Sequence, residues 1–291
     1  MTIEPVATPP SAYDQAWNQA LASESFYDAV IPHYYVGPDD PAVTFDDMAH
    51  WLFHYTAPGS FLDQAMDETV AEFGASTPIW ASEWNYMGFE NPVVNLTQLQ
   101  ALYITSAWMR LAARPQVELA GYHLLVSAGA WPGLFFRDEE IDPPTTQRMI
   151  AFYAFELIGE VTAGMDRVMD TAATGARTAG TLTYQASPVN YDYPNLVALA
   201  LSDNAGSRVG LLIANRGGQT QTIGLQDEAS LAIAARGLSV ACLSTDQLDS
   251  NEHNAATEAE NDLSLHITRR LRTGAVMTVP PWSECVAILG P

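Results

Sequence analysis

The feature that most constrains this chain is a change of texture near residue 166. Before it, strand-like and helical runs alternate: "FYDAVIPHYY", "TFDDMAHWLFHY", "SFLDQAMDETVAEFGA", "TPIWASEW", "LTQLQALYITSAWMRLAAR", "QVELAGYHLLV" and "TTQRMIAFYAFELIGEVTAG". The strand-like runs are apolar throughout rather than every second residue, as parallel strands covered by helices require. The helical runs carry start and stop signals: Thr44 and Ser60 as N-caps, Arg110 and Arg114 near the end of the long helix, Thr145 or Thr146 opening the last one and Gly164 closing it. A further helix is predicted over "SAYDQAWNQALASES". After residue 166 short runs separated by turn residues take over, among them "TLTYQAS", "NLVALALSD", "RVGLLIANRGG", "LSVACLS" and "ECVAILG". This predicts an α/β unit over 1–165 followed by an antiparallel β-sandwich over 166–291.

Charge narrows the function classes. The 291 residues hold 34 acids against 12 basic residues, all arginine, for a formal net charge of -22. A nucleic-acid partner is excluded on that ground, because phosphates are bound by clustered Lys and Arg. No run is long and apolar enough to span a bilayer, and "MTIEPVATPP" lacks the basic and apolar regions of a secretory signal. A soluble chain is expected, with its location left open. Cys242 and Cys285 both sit in apolar strand-like runs and are expected to be buried free thiols, a disulfide being the alternative. His50 and His54, four apart, read as a helix face, since no acidic general base stands between them as in the zinc-protease motif. Neither a metal nor a cofactor is implied.

Function concentrates where parallel strands end, since all their C-termini point to one face. Three strand ends are chemically loaded. The first holds His33, Tyr34 and Tyr35; the second Glu83, Trp84 and Asn85; the third Tyr122 and His123, with Trp131 in the loop beyond. Aromatic planes with short polar groups and a carboxylate suit a saccharide, whose C–H faces stack on rings and whose hydroxyls need hydrogen bonds. Glu83 stands out because Trp80 and Trp84 flank it, company in which an unpaired ionised carboxylate is costly.

These segments resemble a family. "PIWASEWNY" is similar to the stretch around the nucleophile of retaining glycoside hydrolases built on a (β/α)8 barrel, most closely the "DEWN" form of α-L-arabinofuranosidase-like members. "VIPHYYVG" resembles the sixth barrel strand of that clan and "GYHLL" the eighth, while the run to "VPPWSECVAILG" resembles its C-terminal sandwich. The resemblance implies that Glu83 is the nucleophile and that Tyr34 or Tyr35 hydrogen-bonds it. It further implies that Asn85, His33 and His123 bind substrate or support the site, and that Trp84, Tyr122 and Trp131 wall the pocket.

It also implies that something is missing. A complete (β/α)8 barrel takes eight strands and about 250 residues, and about three βα units precede the sandwich here. Retaining hydrolysis uses two carboxylates, and the clan places its acid/base on the fourth strand. Neither Glu4 nor Glu24 ends an apolar strand, and Glu90 follows Glu83 in a loop with nothing to mark it as an acid. The expectation is the C-terminal part of a glycosidase, inactive alone. Two alternatives stand beside it: a non-catalytic carbohydrate-binding protein, and one half of a split enzyme whose second chain supplies the missing strands.

Overall fold

The computed structural model describes residues 12–24, 26–37, 43–86, 94, 97–127, 133–138, 145–184, 187–226, 237–245, 248–249, 267–273 and 275–290. Helix α1 (Ala12–Ala22) precedes β1 (His33–Val36), α2 (Phe45–Tyr55), α3 (Phe61–Phe73), β2 (Ile79–Tyr86), α4 (Gln98–Ala112) and β3 (Val117–Tyr122). The three strands form one sheet in chain order, and both pairings are parallel. Thr44 caps α2 as expected, its hydroxyl accepting from the Asp47 N–H at 3.1 Å. At the start of α3 it is Asp63, not Ser60, whose side chain accepts from the backbone, taking the Gly59 N–H at 2.6 Å. Arg110 then binds both oxygens of the buried Asp63 and ties α3 to α4.

Strands β4 (Val126–Ser127), β5 (Phe135–Asp138) and β6 (Thr145–Arg148) form a small sheet before α5 (Ile150–Thr162). The helix expected to open at Thr145 or Thr146 starts later. Those residues lie in an antiparallel pairing that sets Thr145 opposite Asp138 and Arg148 opposite Phe135, where β-branched threonine is at home. Gly164 stands just past the end of α5 at φ +71°, a conformation natural to glycine.

Beyond it run β7 (Arg167–Met169), β8 (Arg177–Tyr184), β9 (Ser187–Pro194), β10 (Leu196–Ser202), β11 (Val209–Asn215), β12 (Gln221–Gly224), β13 (Gly237–Ser244), β14 (Ile267–Thr273), β15 (Val276–Val279) and β16 (Ser283–Leu289). Six of them form an antiparallel sheet in the order β14-β13-β16-β11-β10-β7, with β12–β15 and β8–β9 as separate two-stranded ribbons. The chain is thus mixed α/β with antiparallel sheets, and its second half is less symmetric than an ordinary sandwich. Ile213, Val240, Cys242, Cys285 and Ala287 on one face of the large sheet pack with Met277 and Val279 of β15. The alternate residues Leu212, Ala214, Ala241, Leu243 and Val286 face helices instead and share one apolar cluster with Tyr34 and Trp84 of the parallel sheet.

Helix α4 lies between the two sheets, which explains why it is apolar on more than one side. Fully buried side chains such as Leu99 and Leu102 contribute roughly 1.5–3 kcal/mol each relative to exposure. Arg216, just past the end of β11, is buried, and among the described residues no carboxylate pairs with it. It donates to the Pro194 carbonyl, to the Phe53 carbonyl at 2.9 Å and to the Thr56 hydroxyl at 3.2 Å, and stacks over Phe53 and Tyr193. The guanidinium thereby caps the C-terminal turn of α2, and burial lowers its pKa to about 9. His50 and His54 lie on the same contact: the His50 ring stacks on Tyr191 at 4.2 Å, and His54 Nδ1 is 3.0 Å from the Asp192 carbonyl.

The cysteines are joined, against the expectation of free thiols. Cys242 on β13 and Cys285 on β16 are directly opposed in an antiparallel pairing and form a disulfide. Their Cα atoms are 4.1 Å apart, close as directly opposed strand residues are. Among the described residues no helix is long and apolar enough to cross a membrane.

Candidate active site

The parallel sheet has one face against helices and one open. On β1, Tyr34 and Val36 point to the helices and are buried, while His33 and Tyr35 alternate to the other side. On β2, Trp80 and Ser82 are exposed and Ala81 is buried, so strict alternation would send Glu83 to the helices. A bulge prevents this. Ala81 pairs with Ala120 and Trp84 with Tyr122, so two residues of β2, Ser82 and Glu83, stand against Gly121 alone. Bulges next to active sites commonly re-aim a side chain. Here the bulge turns Glu83 to the open face beside Ser82 and sets it opposite His33. Gly121 is required for it: a Cβ there would lie 2.5 Å from the Ser82 carbonyl oxygen.

Two side chains converge on one oxygen of Glu83. The Tyr35 hydroxyl donates to Oε2 at 2.7 Å, and His33 Nδ1 lies 3.5 Å from the same atom. His33 Nε2 is 3.2 Å from Ser82 Oγ. Burial, and then the adjacent Glu83 carboxylate, push the Tyr35 phenol well above its ordinary value of 10, so it remains a donor throughout the neutral range. The Glu83 side chain is 38% exposed, open enough for an incoming group to reach it. The His123 ring stands 6.0 Å from Tyr35, edge to face.

The remaining residues expected in the site divide. Tyr34 faces the helices, buried, with its phenol pushed up to about 12 chiefly by burial; the choice between Tyr34 and Tyr35 as partner of Glu83 falls to Tyr35. Trp84 does not wall an opening. It is 1% exposed and packs against Tyr103, Tyr122 and Phe155, because the register pairs it with Tyr34 on the helix side. Tyr122 packs on the same Trp84, and its hydroxyl accepts from Gln100 at 3.2 Å. Asn85, fully buried, donates to the His123 carbonyl and accepts the Tyr86 N–H at 2.8 Å, tying the ends of β2 and β3 together. Trp131 and Glu90 lie outside the described residues. Ser82 and Gly121 were not singled out in the sequence, and the Gly of "GYHLL" was the available signal.

Below the site the open face is apolar. Val30 bridges Ile79, which sets Ile31 beside Trp80, and Trp80 pairs with Leu119. These three side chains form a row across the sheet and are 46%, 39% and 46% exposed. Among the described residues no group of three or more His, Cys, Asp or Glu is arranged to hold a metal ion.

No family model matches the chain, and no curated protein matches it. Solved structures do. The α-L-arabinofuranosidase of Thermotoga maritima, in its arabinose complex, superposes with a TM-score of 0.68 at 16% identity, over 99% of this chain and 56% of its own. The family 51 α-L-arabinofuranosidase of Thermotoga petrophila RKU-1 gives 0.68 at 18%, over 99% and 56%. A family 44 xyloglucanase of Paenibacillus polymyxa gives 0.54 at 12%, over 94% and 48%. At such identities the likeness is one of fold. The chain spans about half the length of the structures it matches, and its fold is that of the matched portion of these glycoside hydrolases.

Proposed function

We propose that Glu83 is the nucleophile of a retaining glycosidase site, carried on the C-terminal part of a (β/α)8 barrel over 1–165 and followed by a β-sandwich over 166–291. The observation that carries this reading is the bulge-aimed Glu83 at a parallel strand end, with Tyr35 and His33 both on Oε2. Held in that way the carboxylate presents Oε1 to an anomeric carbon. Attack forms the C–O bond to Glu83 as the glycosidic C–O bond breaks, and the departing oxygen takes a proton from an acid. Water then displaces the sugar from Glu83 and gives up its proton to the same group acting as base.

On this reading the second carboxylate comes from strands outside this chain. General acid catalysis is typically worth 10² to 10⁴-fold, so the chain alone is expected to turn over natural saccharides poorly. The exposed Ile31–Trp80–Leu119 row supports completion by further strands, since barrel interiors are filled by layers of such side chains. We therefore place the acid on strands supplied by a longer polypeptide or a second chain. Saccharide is the proposed substrate class, with arabinofuranosides first among those to try.

The test is covalent labelling with a panel of 2-fluoro glycosyl donors, furanosides and pyranosides, bearing a dinitrophenolate leaving group that departs without protonation. Mass spectrometry should find one glycosyl adduct, on the peptide containing Glu83, and none in Glu83→Gln. Saccharide binding that persists in Glu83→Gln, with no adduct from any donor in the parent chain, would favour the carbohydrate-binding reading instead.

A further inference from the structure

We propose that Ser82 is a positioning residue that fixes the tautomer of His33, and through it the hydrogen bonding of Glu83. This rests on the reading of Glu83 as nucleophile, which Ser82 serves without touching the reacting atoms. The His33 ring is held at both nitrogens: Nε2 lies 3.2 Å from Ser82 Oγ and Nδ1 lies 3.5 Å from Glu83 Oε2. A neutral imidazole carries one proton, and which nitrogen bears it is set by the partner of the other.

Of the two neutral tautomers, only one satisfies both contacts. With the proton on Nε2, the bare lone pair of Nδ1 would face a carboxylate oxygen, two acceptors turned on each other. With the proton on Nδ1, His33 donates toward Oε2, and Nε2 becomes an acceptor that needs a donor. The Ser82 hydroxyl supplies it, since a hydroxyl rotates to donate or accept as its neighbour requires. Oε2 is then held by two donors, His33 and the Tyr35 hydroxyl at 2.7 Å, and the carboxylate is fixed with Oε1 as the attacking oxygen. Ser82 faces the open side by ordinary alternation, and the bulge, with Gly121 beneath the Ser82 carbonyl, brings Glu83 to that same side, so that both reach His33. The unit therefore runs from Gly121 through Ser82 and His33 to Glu83.

The experiment reads protons rather than turnover. Long-range nitrogen-proton correlation spectra of the ¹⁵N-labelled chain resolve the two imidazole nitrogens, and the His33 signals are assigned by their loss in His33→Asn. The expected spectrum shows His33 protonated at Nδ1 in its neutral form. Ser82→Ala should move it toward the Nε2–H form that free histidine favours, and Ser82→Thr, which keeps the hydroxyl, should restore the Nδ1–H pattern. A parent spectrum of the Nε2–H type would overturn the proposal, as would an unchanged tautomer in a Ser82→Ala variant whose circular dichroism and melting match the parent. Because the readout needs no substrate, a failed labelling of Glu83 and a failed tautomer assignment are separate results.

Discussion

Glu284 offers a test of whether the two halves of the chain share one core. It lies on β16, fully buried beneath α4, among residues that otherwise read as an apolar strand. The Thr105 hydroxyl donates to its Oε2, and Oε1 has no hydrogen-bond partner among the described residues. The groups packed around it from β11, β13 and α4 include Ala214, Leu243 and the Gln98 amide, which donates to the Leu243 carbonyl at 3.5 Å. Burial raises the carboxyl pKa from 4.5 to about 8, and the Thr105 hydrogen bond opposes that only in part. Since the folded value lies above the unfolded one, the folded chain keeps a proton that the unfolded chain has released between pH 4.5 and 8. The stabilisation is fully present below pH 4.5, declines as pH rises, and is gone above about pH 8. At about 1.4 kcal/mol per pH unit, the interval amounts to roughly 5 kcal/mol.

Glu284→Gln removes the titration and leaves the shape nearly unchanged. The buried amide brings donors without acceptors, at a pH-independent cost of about 1–3 kcal/mol. The variant should therefore be less stable than the parent near pH 5 and more stable near pH 9. Urea unfolding of both proteins at pH 5, 7 and 9 measures this directly, and the general effect of a net charge near -22 cancels in the comparison. A difference between the two proteins that stays within 1 kcal/mol of constant across that range would show that Glu284 is hydrated and that α4 does not seal the sheet.

The Cys242–Cys285 bond closes a loop of 43 residues, for which chain entropy gives about 4 kcal/mol; the double alanine variant should melt roughly 10 °C lower, and maleimide titration of the unreduced, denatured chain should find no free thiol, two being the result that refutes the pairing. Gly121→Ala forces a Cβ to within 2.5 Å of the Ser82 carbonyl, so the bulge must shift at a cost of about 1–3 kcal/mol; loss of both urea stability and the Glu83 adduct is expected, and a variant within 0.5 kcal/mol of the parent would count against the bulge as described.

What was legible in the sequence, and what was not, follows from how far each feature depends on register. Helix and strand alternation is local, so the parallel order of β1, β2 and β3 could be read from apolar runs and caps, and the cluster of His33, Tyr35 and Glu83 followed from strand ends sharing a face. Trp84 misled because its position beside Glu83 suggested the same opening, whereas period-2 alternation resumes after the bulge and sends the indole to the helices. No composition rule reveals one extra residue in a strand, yet that residue is what allows an acid in an apolar segment to face outward. The same dependence hides the disulfide, since only the β13–β16 register opposes the two cysteines, and Glu284, whose burial is imposed by α4 crossing over β16. The acid between two tryptophans is accounted for by geometry: Trp80 belongs to the open face, Trp84 to the core, and the bulge between them turns Glu83 toward Tyr35 and His33.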